Sequence, residues 1–385
     1  MVLKSSVKSE LAPELSEVQV GFIPLTDCAP IVVASKMGFD KKYGINIKLH
    51  KEASWAVIRD KLISGDLHAA HALYGMVYGV ELGIGGQQKD MAVLMTLNHN
   101  GQGITLSNQL KVQGVNSGSD LSSFLKQQAS KLTFAQTFPT GTHAMWLYYW
   151  LASHGIDPLR DVKTVVVPPP QMVANISSCN VAGYCAGEPW NARAIYDQVG
   201  FTVATSQDIW VNHPEKVLGV TAEFADQYPQ TCRAMIMAIL EACRYLDVMD
   251  NRAQVTDMLA GPDYVNAPRQ VIHDRFVGDY DDGNGKLWHD ANAVKFFDGG
   301  KVNFPYLSDA MWFMTQFRRW GLLKTAPDYL ALASKVNRID MYTQAAHAME
   351  INTQQQPMRT SRLMDGVVWD GTDPDAYVNQ FDIRS

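Results

Sequence analysis

Two runs of alternating strand-like and helix-like segments constrain this chain more than any other feature. Residues 18–23, 45–50, 67–73 and 91–97 form short apolar runs, and the stretches between them, 29–37, 55–63 and 74–82, carry helical spacing. After a Gly/Ser/Asn-rich loop at 114–119 the pattern restarts, with strands expected at 132–136, 162–167, 181–185 and 201–205 and helices at 142–154, 171–177 and 189–199. Such alternation predicts βαβ units and parallel sheets. Two series in a chain of 385 residues predict two α/β lobes. Beyond about residue 218 the pattern turns helical, over 229–249, 252–259 and 308–320, which reads as a return completing the first lobe. The chain is expected to cross between lobes near residues 105 and 215. The lobes so drawn are 18–105 plus 220–330, and 106–219, with 331–385 as a C-terminal extension packing on the surface.

Composition removes several function classes. The net charge is -6 and no Lys/Arg run stands out, so direct nucleic-acid binding is not expected. No apolar stretch approaches the roughly 20 residues that span a bilayer, and no membrane partner is expected. Residues 1–17 are polar and lack an apolar core, which reads as no secretory signal and predicts a cytoplasmic address. The five cysteines form neither a disulfide framework nor a metal-ligand pattern. His68 and His71 fall on opposite faces of a predicted strand and are not expected to share a metal. There is no P-loop, dinucleotide fingerprint, nucleophile elbow or HExxH, so neither enzymatic activity nor a cofactor is expected.

In such lobes ligands bind at the carboxyl ends of strands, where loops enter helix N-termini, and facing lobes place the site between them. The loop-type positions there include Ser54-Trp55, the run 100–103 (NGQG), the run 137–143 (TFPTGTH), the run 187–191 (GEPWN) and the run 213–216 (HPEK). Trp55 offers an indole N–H, Gln102 an amide, His143 an imidazole N–H and Lys216 a charged ammonium. Gly141 and Thr142 add backbone N–H groups at a helix start, and Glu188 is placed to orient His143 or Lys216. A ring of donors with one cation matches nitrate, a flat anion with acceptors only. Bicarbonate carries an O–H and would want a carboxylate acceptor, so Lys216 favours nitrate or nitrite. Each residue also has an ordinary reading: Trp55 in a core, His143 capping its own helix, Lys216 in solvent, Gln102 in a turn and Glu188 as a helix cap.

Taken together, these runs and Pro168-Pro169-Pro170-Gln171-Met172-Val173 resemble the nitrate- and bicarbonate-binding proteins of bacterial ABC importers, from about Val18 to at least Gln254. The resemblance implies an α/β, two-lobed type II periplasmic-binding-protein fold with a hinged cleft. It implies anion contacts from Trp55, Gln102, His143 and Lys216, with Gly141, Thr142 and Glu188 behind them. A cytoplasmic branch of that family, the nitrate/nitrite sensor NasS, sequesters an RNA-binding antiterminator of NasT type and releases it on anion binding. With no signal seen, the expected function is that sensor. The alternative is the periplasmic nitrate-binding component of an ABC importer with its signal removed. An enzyme on the same scaffold, such as a thiamin-pyrimidine synthase, lacks its cysteine-rich motif here.

Overall fold

The protein is described by a computed structural model covering residues 12–353 and 355–385. Its first sheet contains β1 (Glu17–Phe22), β2 (Asn46–Lys51), β3 (Ala69–Leu73), β4 (Met91–Thr96) and β10 (Lys216–Thr221), in the order β2-β1-β3-β10-β4. The second contains β5 (Gln102–Ser107), β6 (Thr133–Gln136), β7 (Lys163–Val166), β8 (Gly183–Gly187) and β9 (Gly200–Thr205), in the order β7-β6-β8-β5-β9.

The sheets are mixed, not parallel as the alternation predicts. β10 runs antiparallel to β3 and β4, and β5 antiparallel to β8 and β9. The reason is topological. Each of these two strands is the first after the chain crosses between lobes, so it enters its sheet from the cleft end. The crossings therefore fall earlier than expected. Gln102 already belongs to the second sheet and Lys216 to the first, leaving 97–101 and 206–215 as the connecting segments. Those segments run side by side. Asn100 N–H donates to His213 O at 3.2 Å and Glu215 N–H to Asn98 O at 3.2 Å, while His99 exchanges backbone bonds with Lys295 at 3.0 Å each way.

Periodicity explains the packing. Helix Pro229–Leu246 carries Cys232, Met235, Ile236, Ile239, Leu240, Cys243 and Leu246 on one buried face and packs against helices Ala29–Lys36 and Ile339–Ala348. Burial of each large aliphatic side chain contributes about 1.5–3 kcal/mol before chain entropy is charged against it. The stretch 331–385 does more than lie on the surface. Val336, Ala333, Trp369 and Tyr377 enter one core, and Tyr342, Ala345 and Ala346 another. Among the described residues no helix is long and apolar enough to cross a membrane.

Candidate functional site

Four strand ends and two helix starts converge between the sheets. Ser54 follows β2 and caps helix Trp55–Ser64 by accepting Val57 N–H at 3.4 Å, which fixes Trp55 at the first helical position facing the cleft. Gln102 opens β5 directly after the first crossing, and Lys216 opens β10 after the second. His143 lies in the first turn of helix Thr142–Ser153. The structure brings Trp55, Gln102, His143 and Lys216 together, and each is fully buried.

The Lys216 ammonium lies 2.8 Å from Asp27 Oδ2, 3.0 Å from Glu215 Oε1 and 3.4 Å from Gln102 Oε1. It also sits 5.8 Å from the centroid of the Trp55 ring. The Gln102 amide is held from both sides. Its nitrogen donates to Asp27 Oδ2 at 3.1 Å, and its oxygen faces His143 Nε2 at 2.7 Å. His143 Nδ1 faces the Thr137 hydroxyl at 2.7 Å. Neutral His143 thus donates from Nε2 and accepts at Nδ1. Burial, and then the Lys216 charge, hold it well below the usual imidazole range.

The carboxylates are the surprise. Lys216 is not the sole full charge at the site. Asp27 accepts from Lys216 and Gln102 through Oδ2 and faces His71 Nε2 at 2.8 Å through Oδ1. Burial alone would raise the Asp27 carboxyl, but Lys216 and His71 outweigh it and hold the group well below its ordinary value. Glu215 accepts from the Thr142 hydroxyl, from Trp146 Nε1 at 2.7 Å and from Lys216. Burial still raises its carboxyl, against the pull of Lys216, Thr142 and Trp146. Behind it Trp146, Trp210 and Trp312 pack ring on ring, with centroids 5.0–6.1 Å apart, and close that side to water. Lys216 gains from both carboxylates more than burial costs it, and its proton is held more tightly than usual.

Several polar atoms in this buried region have no partner among the described residues, His71 Nδ1 and Trp210 Nε1 among them, and two of the others bear on the cleft. One is the Trp55 indole N–H and the other the Thr140 hydroxyl. An unpartnered buried donor costs about 1–3 kcal/mol, so a fold that keeps one beside an ammonium is built to spend it on an acceptor.

The lobes meet tightly around this cluster. Thr140 of the second lobe lies against Gly75 and Gly79, one turn apart on helix Tyr74–Glu81, and a Cβ at Gly79 would fall 2.8 Å from Thr140 Cβ. Thr26 N–H donates to Glu188 O at 2.8 Å and Trp190 Nε1 to Pro24 O at 2.9 Å, again across the cleft. Gly141 is the N-cap of helix Thr142–Ser153, and Thr142 reaches Glu215. Glu188 does not orient His143 or Lys216. Its carboxylate pairs with Arg275 at 2.6 Å and accepts Ala192 N–H at 3.1 Å. Asp27, His71 and Glu215 do the orienting instead. Sequence reasoning overlooked that role for all three, although Glu215 stands in the 213–216 run and Asp27 in the turn after the first strand. His68 lies apart from His71, stacked on Phe224.

Two mixed α/β sheets, joined by paired crossings and enclosing a sealed polar cluster, define a two-lobed solute-binding protein of the periplasmic-binding-protein fold. A family described as the NMT1-like family matches residues 11–260. The nitrate/nitrite binding protein NrtA of Synechocystis sp. is 38% identical, over 98% of this chain and 88% of that protein. The nitrate import ATP-binding protein NrtC of the same organism is 36% identical over 96% of this chain, which spans 56% of that longer protein. The crystal structure of the periplasmic nitrate-binding protein NrtA from Synechocystis matches with a TM-score of 0.93 at 36% identity, covering 97% of this chain and 100% of that one. The chain belongs to the NMT1-like family and, within it, to the substrate-binding proteins of the nitrate and bicarbonate ABC importers.

These findings correct one expectation outright. The cytoplasmic address is overturned, because the structural relative with a TM-score of 0.93 is a periplasmic protein. The polar N-terminus on which that address rested lies mostly in residues 1–11, outside the described residues. The two relatives just given are named as a nitrate/nitrite binding protein and a nitrate import ATP-binding protein.

Proposed function

We propose that this protein is the nitrate- or nitrite-binding component of an ABC importer, capturing the anion between its lobes with Trp55, Gln102, His143 and Lys216. The observation that carries the reading is the buried, unpartnered Trp55 indole N–H beside the Lys216 ammonium, in a cleft shut by both lobes. An anion is the ligand that needs such a donor and tolerates such a cation. The likeness to nitrate-binding relatives along nearly the whole chain supports the same choice. The sensor reading, with an antiterminator partner, loses the cytoplasmic address that motivated it, and the importer component is the better-supported of the two.

Gln102, His143 and Lys216 already spend their N–H groups on one another, on Asp27 and on Glu215, so the anion takes the free Trp55 N–H and exchanges some of these contacts for its own. Anion bridging both lobes stabilises the shut arrangement by its differential contacts, a population shift between hinge positions about 97–101 and 206–215. Bicarbonate is the second reading, because Asp27 and Glu215 supply the carboxylate acceptors its O–H requires. Calorimetric titration with nitrate, nitrite and bicarbonate tests both. Heat for nitrate or nitrite alone supports the first reading, heat for bicarbonate alone replaces it with the second, and no heat for any removes the anion site.

A further inference from the structure

His71 lies in the middle of β3, fully buried, and anion capture as described above uses only its contact with Asp27. Its Nε2 faces Asp27 Oδ1 at 2.8 Å, while its Nδ1 is buried and has no partner among the described residues. With Asp27 an ionised acceptor, Nε2 carries the hydrogen and Nδ1 presents a bare lone pair. The His71 ring stands 5.6 Å from that of Trp55, whose own N–H is unpartnered. A bare acceptor beside the donor of an anion site does not fit the anion. With a proton on Nδ1, the same ring becomes a donor.

Charge balance points the same way. Asp27, Glu215 and Lys216 sum to one net negative charge within a region shut off from solvent. A monoanion brings a second. Two uncompensated negative charges in a buried cluster are costly, and a proton taken up with the anion removes one of them. We propose that His71 binds a proton on Nδ1 when the anion binds, so that the protein captures the anion together with one proton. The inference rests on the anion reading and names a further residue of that site.

Four groups set the response. Asp27 touches His71 directly and stabilises an imidazolium. Lys216, across Asp27 on β10, opposes one. Glu215 and His143 face the same cluster from the second crossing and from helix Thr142–Ser153. The anion adds negative charge to this set. Burial holds His71 below the usual imidazole range, so it is neutral at pH 7, and the incoming charge raises it. Glu215 is the less suitable acceptor for the proton, since its two oxygens already receive Thr142, Trp146 and Lys216.

The test is proton stoichiometry. Nitrate titrated into the full chain at pH 7, in two buffers of different ionisation enthalpy, should show uptake of close to one proton per anion. Affinity should weaken by about tenfold per pH unit wherever His71 is protonated only in the complex. His71→Gln keeps an N–H for Asp27 but cannot hold the proton, and should abolish both the uptake and the pH dependence. Glu215→Gln takes one negative charge from the cluster but leaves His71 in place, and should lessen the uptake without abolishing it. In wild-type protein labelled with 15N-histidine, one imidazole should change from neutral to doubly protonated on saturation with nitrate, which needs no variant to fold. Nitrate binding with no proton uptake overturns the inference and leaves the anion reading intact. Uptake lost in Glu215→Gln but kept in His71→Gln overturns the assignment to His71. No binding of nitrate, nitrite or bicarbonate at any pH overturns the anion reading and this inference together.

Discussion

Lys216 Nζ stands 2.8 Å from Asp27 Oδ2, and this one contact ties the strand after the second crossing to the turn after β1. Both side chains are buried to within 2% of complete exclusion from solvent. Removing one partner of such a pair leaves the other charge unpaired and costs about 3–5 kcal/mol. Lys216→Ala is therefore expected to destabilise the fold as well as to abolish anion binding, because it strands both Asp27 and Glu215. Thermal melts and nitrate titration on the same sample check it. A variant that melts like wild type would show that the carboxylates are neutralised some other way.

Trp55 should behave in the opposite manner. Its indole N–H has no partner among the described residues, so Trp55→Phe removes a burden from the unliganded protein while keeping most of the ring. A hydrogen bond to a charged group contributes about 1.5–3 kcal/mol. Nitrate affinity should fall by roughly 10- to 150-fold on that scale, with the melting temperature unchanged or raised. Calorimetry paired with a melt reads both signs, and equal losses in the two would assign Trp55 to packing alone.

Much of this was legible in the sequence, and the part that was not has a physical reason. The alternation located most strands and helices of both lobes, since period and turn residues are local signals. β10 was missed because Lys216–Thr221 follows a crossing and holds Gly219 in its middle. The four candidate donors stand at the first residues of strands or the first turns of helices, positions that local turn and periodicity signals mark. Their partners could not be found that way. Asp27 and Lys216 are 189 residues apart, and no periodicity reports a pairing of that span. Glu188 misled for the same reason, as its partner Arg275 lies 87 residues on.

Closure of the lobes depends on Gly79. A Cβ there meets Thr140 of the opposite lobe at 2.8 Å from Thr140 Cβ and closer still to its hydroxyl. Gly79→Ala should raise intrinsic helix stability by about 1 kcal/mol yet hold the lobes apart. Nitrate affinity is expected to fall at least about tenfold, an energy of about 1.4 kcal/mol. Small-angle scattering with saturating nitrate should show a larger radius than wild type. Thr140→Gly in the same background should restore compaction. If Gly79→Ala binds as tightly as wild type, the helix Tyr74–Glu81 is not a closing face.

Four buried histidines should make the protein acid-sensitive in the absence of anion. His71, His99, His143 and His213 are all held below the usual imidazole range, chiefly by burial, with His213 near about 3. Unfolded, each takes up a proton below about pH 6.5. The unfolded state then binds more protons than the folded one, and stability falls as pH falls through that window. The slope is about 1.4 kcal/mol per pH unit for each histidine wholly in this regime. Glu215, Asp247 and Asp309 work the other way, since a raised carboxyl favours the fold when protonated, while His68, also held low by burial, adds to the four histidines. Melts at pH 7.5, 6.5 and 5.5, measured without nitrate, should show a falling midpoint, and adding nitrate at the lower pH should recover more of it than at the higher. A midpoint that rises on acidification would mean that these histidines find a proton inside the fold.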